Sequence, residues 1–127
     1  MLTGATSRNV QCVTAEGGLP QIWVSNAAAH AAISLHGGQL LSFKRKADSL
    51  DLLFISKRAR FEPGAAIRGG IPICWPWFGA DPANPAGRAH GFARNRLWSV
   101  EQIEHPAPDH TRITLGLTDC PETRTLW

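Results

Sequence analysis

The sequence is poor in the features that mark metal-built, membrane-bound or nucleic-acid-wrapping proteins. Its three cysteines, Cys12, Cys74 and Cys120, are widely spaced, and no CxxC pair occurs. That pattern argues against a disulfide framework or a zinc site, so the thiols are expected as buried small hydrophobes, with no metal and no cofactor. No stretch approaches the roughly 20 apolar residues of a membrane span. The N-terminus lacks the charged start and continuous apolar run of a signal peptide, so a cytoplasmic location is expected. Charge of one sign is scarce too, with 13 basic and 10 acidic side chains giving a net +3. The densest basic runs, Lys57-Arg58-Ala59-Arg60 and Lys44-Arg45-Lys46, are short. They suit solvated strand ends or loops better than a nucleic-acid stripe. Neither nucleic acid nor membrane is therefore an expected partner.

Helix signals are also weak, because 12 glycines and 9 prolines interrupt the chain. The one helical candidate, residues 27–32, is short and uncapped, and strand context can override it. What is present is a globular composition, 127 residues with 43% hydrophobic side chains, enough for a single domain with a real core. The apolar residues tend to alternate. Strands are expected over residues 21–25, 32–35, 39–44, 52–55, 97–103 and 112–117. His36-Gly37-Gly38 is expected as a turn or bulge, and residues 105–110 as a hairpin connection. In the last strand Ile113, Leu115 and Leu117 should share one face. In the strand before it, Trp98, Val100 and Gln102 should do so. Short strands with turn signals every few residues predict an all-β, antiparallel β-sandwich.

Residues 61–96 break this pattern. Pro63, Pro72, Pro76, Pro82 and Pro85 punctuate them and alternation is lost, although the aromatic density argues against a flexible linker. An ordered irregular stretch of this length tends to be functional. It contains Arg68-Gly69-Gly70-Ile71-Pro72-Ile73-Cys74-Trp75-Pro76-Trp77-Phe78-Gly79 and leads into His90-Gly91-Phe92-Ala93-Arg94-Asn95-Arg96-Leu97-Trp98. Arginine forks bind carboxylate or phosphate, aromatic faces cover the apolar side of a sugar ring, and glycines let backbone come close. Arg68, His90 and Arg94 are therefore the candidate binding residues for a polyhydroxylated, anionic small molecule. On a strand, His90 and Arg94 would point to the same side about 13 Å apart; on a turn they would come closer. Either Trp75 or Trp77 could floor a sugar site while the other packs. Asp81 is expected in turn chemistry at Pro82. His30, His36, His105 and His110 are expected as structural or exposed residues. Leu126-Trp127 closes the sequence on apolar residues, which suggests that a longer protein continues beyond it.

The run RGGIPICWPWFG followed by HGFARNRLW resembles the aldose 1-epimerase (galactose mutarotase-like) superfamily, within it the hexose-6-phosphate 1-epimerase branch. Residues 35–42 resemble the family's early strand with its small-residue turn. Residues 123–127 resemble the point where the family continues toward its second half. The resemblance implies that residues 1–127 are the N-terminal part of a single mutarotase-like supersandwich domain. It implies anomer interconversion of a sugar phosphate such as glucose 6-phosphate. A general base removes the proton of the anomeric hydroxyl, a general acid protonates the ring oxygen, and the ring recloses on the other face. The glutamate base and the histidine acid of the family are expected beyond Trp127, so no catalytic residue is expected in this chain, and the chain alone is expected to be inactive. Arg68 and Arg94 map to phosphate contacts and His90 to a hydrogen bond near the ring. Where some relatives carry a polar residue before this histidine, the chain has Ala89. A non-catalytic carbohydrate-binding domain and a mutarotase for unphosphorylated aldoses are the alternatives.

Overall fold

The computed structural model describes residues 9–126. Four strands, β1 (Val10–Thr14), β2 (Pro20–Ser25), β3 (Ala29–Ser34) and β4 (Gln39–Arg45), form an antiparallel meander in chain order. A separate antiparallel hairpin follows later, β5 (Ser99–Ala107) with β6 (His110–Gly116), and the short helix α1 (Pro121–Leu126) comes last. The chain is thus mostly β and antiparallel, as the alternation predicts. Trp127 lies outside the described residues.

The register explains the core. Cys12 pairs with Ile22, and Ile22 with Ile33, so one side of the meander carries an apolar row. Val10, Ile22 and Leu35 are fully buried there, and Val100, Ile103, Ile113 and Leu115 of the hairpin pack against them. Burying a side chain such as Ile22 stabilises by about 1.5–3 kcal/mol. A second cluster, Leu19, Leu41 and Ile67, draws in Ile55, Ala59 and Phe61 from the irregular segment. Leu41 reaches it because a bulge interrupts the β3–β4 ladder, where Ala32 pairs with Ser42 but Ile33 with Leu40.

Several expectations shift. Residues 27–32 are not helical: Asn26 Oδ1 accepts from the backbone amides of Ala28 and Ala29, turning the chain into β3. Tertiary pairing with β2 and β4 overrides the alanine-rich composition. Residues 52–55 do not make a strand; only an isolated bridge joins Ile55 to Gly69. Asp51 replaces the ladder there. Its carboxylate accepts from Ser42 Oγ and from the amides of Phe43 and Leu53. The hydroxyl bond from Ser42, opposed by desolvation and reinforced by the amide bonds from Leu53 and Phe43 and by Lys44, holds this carboxyl below its ordinary range. In β5 a bulge after Val100 leaves Glu101 unpaired and changes the parity, so Ile103 rather than Gln102 joins Val100 on the core. The strands also run through most of residues 105–110, with Ala107 opposite His110. β1 and α1 carry no strong sequence signal and were not anticipated.

Candidate functional site

The two glycine-rich segments lie against each other as one stitched loop pair. Trp75 and Gly91 form a parallel bridge, and the Trp75 carbonyl accepts from the amides of Phe92 (2.9 Å) and Ala93 (3.1 Å). Gly91 is the one residue type that permits this. Its φ is +68°, and a Cβ there would stand 2.0 Å from the Trp75 oxygen. The rings follow the backbone: Trp75 and Trp77 both meet the buried Phe92 edge-on, with centroids 5.6 and 6.2 Å away. Trp77 also donates its indole N–H to the Arg88 carbonyl, and Trp98 donates to the Ala93 carbonyl. Both of the tryptophans proposed for sugar contact therefore have packing roles, and Trp75 keeps partial exposure.

His90 is fixed in a defined orientation. Its amide donates to the Gly79 carbonyl at 2.8 Å, and its Nδ1 accepts from the Gly79 amide at 3.0 Å. Accepting at Nδ1 requires the proton to sit on Nε2, so the ring presents one donor away from its own loop. Phe78 lies against the ring at 4.9 Å. The backbone at His90 is left-handed, φ +64°, a conformation that costs energy for a residue with a Cβ and that clusters at binding sites. Four residues on, Arg94 sits in a single 3-10 turn, Ala93–Asn95. The turn alternative thus holds, not the strand one. Arg94 Nη2 donates to the Ala89 carbonyl, so the backbone just before His90 and the guanidinium are directly tied. Its Nε is buried without a partner among the described residues.

Arg68 is held from behind and open in front. The Arg68 carbonyl accepts from the Ser56 amide, while the carbonyls on either side, Ile67 and Gly69, both accept from the Gln39 side-chain amide. The Arg68 side chain is exposed and has no hydrogen-bond or ion-pair partner among the described residues. The turn between β3 and β4 braces both segments. Gly37 donates to the Arg96 carbonyl and lies so close to Arg94 that a Cβ would stand 2.7 Å from its oxygen. His36 Nε2 meets the Ala65 carbonyl at 2.6 Å, and Asn95 Nδ2 donates to Gly64.

His90 and Arg94 are joined through Ala89, whereas no hydrogen bond or ion pair among the described residues joins either of them to the Arg68 guanidinium. A cavity of about 530 Å³ opens beside the stitched loops, lined by Ile73, Cys74, Trp75, Trp98, Leu117 and Asp119 among others. None of the three candidate residues lines it. Asp81 caps its own turn by accepting from the Ala83 amide, as anticipated. His36 is structural; His30 and His110 are exposed. The three cysteines are half-buried. Sequence reasoning missed Gln39 and Asn95. For Gln39 a signal existed: alternation puts it on the same strand face as Leu41, an amide in an apolar row.

The chain is similar to known proteins in sequence and in fold. The profile of the family described as aldose 1-epimerase matches residues 20–127. An Escherichia coli K12 protein named "Putative glucose-6-phosphate 1-epimerase" is 41% identical over 110 residues, covering 86% of this chain and 36% of that protein. A protein of the same name from Cenchrus ciliaris is 47% identical over 83 residues, 65% of this chain and 24% of its own length. A crystal structure titled as a "putative mutarotase (YeaD)" from Salmonella typhimurium superposes with a TM-score of 0.83 at 33% identity, over 95% of this chain and 40% of that one. The chain spans a little over a third of the length of the curated E. coli relative, and its fold is mutarotase-like. With the profile covering all but the first residues, the chain belongs to the aldose 1-epimerase family.

Proposed function

We propose that this chain is the N-terminal part of a glucose-6-phosphate 1-epimerase, one section of a single sandwich domain that supplies part of the substrate cleft. Arg68 and Arg94 meet the phosphate, and His90 donates from Nε2 to an oxygen near the sugar ring. The observation that carries the reading is the exposed Arg68 guanidinium, unpartnered among the described residues while its backbone is gripped on both sides. A solvated, pre-aimed fork suits a phosphate, which accepts charge-assisted bonds from arginine. The names of the curated relatives support the same substrate.

The fixed tautomer of His90 makes it a donor that binds and orients. Proton removal from the anomeric hydroxyl and protonation of the ring oxygen need two further groups on opposite sides of the sugar. Those groups are expected outside these 127 residues, so the chain alone is inactive. A sugar phosphate carries a charge that crosses a lipid bilayer only at high cost, which supports a cytoplasmic location for a protein acting on it. Among the described residues no helix is long and apolar enough to cross a membrane.

The test follows exchange between the α and β anomers of glucose 6-phosphate by NMR. Full-length protein is expected to accelerate it, and the 127-residue chain to leave it at the spontaneous rate. An unchanged rate with full-length protein rejects the glucose-6-phosphate epimerase and leaves a binding domain or a mutarotase for unphosphorylated aldoses.

A further inference from the structure

We propose that Gln39 is a positioning residue for Arg68, presetting the guanidinium for an anionic ligand by gripping the backbone on both sides of it. This rests on the reading of Arg68 as a phosphate ligand.

Gln39 opens β4 and is fully buried. Its Nε2 donates to the Ile67 carbonyl at 3.0 Å and to the Gly69 carbonyl at 2.6 Å. Two carbonyl acceptors fix which end of the amide faces them, because the oxygen end would oppose two like dipoles. Between these two carbonyls lies that of Arg68, which accepts from the Ser56 amide at 3.0 Å. Three consecutive carbonyls are thus held, two toward β4 and the middle one by Ser56. The Cα of Arg68 is therefore fixed even though Gly69 and Gly70 beside it have positive φ. Without that grip, a glycine-flanked arginine would carry large backbone freedom into binding and lose it there.

A purely stabilising role explains the site less well. Gln39 shares a strand face with Leu41, and its Oε1 is buried with no partner among the described residues. Ser34, its cross-strand partner, also has a buried hydroxyl without one. An apolar side chain would avoid that cost, whereas an amide of this length reaches both carbonyls and ties them together without burying a charge. Glutamate has the length but no donors at neutral pH, asparagine has the donors but not the length, and methionine has neither donor.

The experiment uses full-length protein carrying Gln39→Met, Arg68→Ala or both, with glucose 6-phosphate and glucose as ligands. For Gln39→Met, KM for glucose 6-phosphate is expected to rise about tenfold, with kcat and glucose binding changed by less than about twofold. In the Arg68→Ala background, Gln39→Met should have no further effect on the preference for the phosphorylated sugar, since it acts through the missing guanidinium. An equal loss for both sugars, or an additive loss in the double variant, overturns the proposal. If Gln39→Met does not fold, Gln39→Asn is read by the same criteria. If Arg68→Ala itself leaves the preference intact, the phosphate reading fails and takes this inference with it. If Arg68→Ala is selective and the Gln39 variant is not, only the inference falls.

Discussion

The β1–β4 meander and the irregular segment from Lys46 to Trp98 solve the same problem by different means. In the meander, neighbouring strands satisfy one another's backbone groups in continuous ladders, with a single bulge between β3 and β4. In the irregular segment, side chains share that work with scattered backbone bonds. Gln39 serves Ile67 and Gly69, His36 meets Ala65, Asn95 serves Gly64, Trp77 serves Arg88 and Trp98 serves Ala93. A ladder spreads its stability over many equivalent bonds, whereas a stitched loop concentrates it at a few contacts. The meander can therefore bear graded damage, while the loops can hold binding groups in conformations that no regular element offers, such as the left-handed His90.

Substitutions should expose the difference. The largest effect is expected for Gly91→Val. The new side chain would face both a φ of +68° and the Trp75 oxygen 2.0 Å from its Cβ. The loss should reach about 4 kcal/mol or more in denaturant unfolding, with the two motifs released together. Tolerance at Gly91 would show that the stitch between Trp75 and Gly91 is not structural. Ile22→Ala, in the centre of the meander, should cost about 2–5 kcal/mol, a loss set by cavity size and by how far neighbours relax. Its effect should appear in stability alone, with sugar-phosphate affinity per folded molecule unchanged.

Arg68→Ala reverses that pattern. Stability should barely change, because the guanidinium has no protein partner among the described residues, while binding of glucose 6-phosphate should weaken by about 1.5–3 kcal/mol relative to glucose. Equal weakening for both sugars, measured by calorimetry, would favour a mutarotase for unphosphorylated aldoses. The smallest effect is expected for Asp51→Asn. The Asp51 carboxyl is held below the ordinary value of 3.8, mainly by Ser42. A lowered folded-state pKa gives stability that is present above the unfolded value and lost as pH falls through the folded one. Asp51 is an exposed residue, so the asparagine variant should show only a slightly flatter loss of stability below about pH 4. A steep difference in acid unfolding curves would mean that the loop after β4 depends on this anchor far more than its exposure implies.

How legible each region was follows from the kind of signal that built it. Alternation located β2, β4 and β6 closely, because one face of each must meet the core and the other need not. It placed β5 but misjudged Gln102, since a bulge is a tertiary event that alternation cannot register. Residues 52–55 look like a strand by apolar content, yet Leu52 and Phe54 remain 62% and 74% exposed. Their backbones make single bonds, Leu52 to Phe43 and Gly70 to Phe54, but no continuous ladder forms, and Asp51 holds the chain in a turn instead. Arg68, His90 and Arg94 stood out through composition, but the sequence could not tell which neighbours hold them.

The amino-acid order by itself determined the strand periodicity, the turn at Gly37-Gly38 and the two motifs that carry the family identity. Each depends on residue types at short spacing, where local sterics and side-chain chemistry suffice. Only the tertiary structure decided that Gln39 grips the backbone around Arg68, that Gly79 sets the His90 tautomer and that Ala89 ties His90 to Arg94. The first two bring together groups that are distant in sequence, and all three depend on where the packed sheet holds each loop. No spacing along the chain encodes that placement.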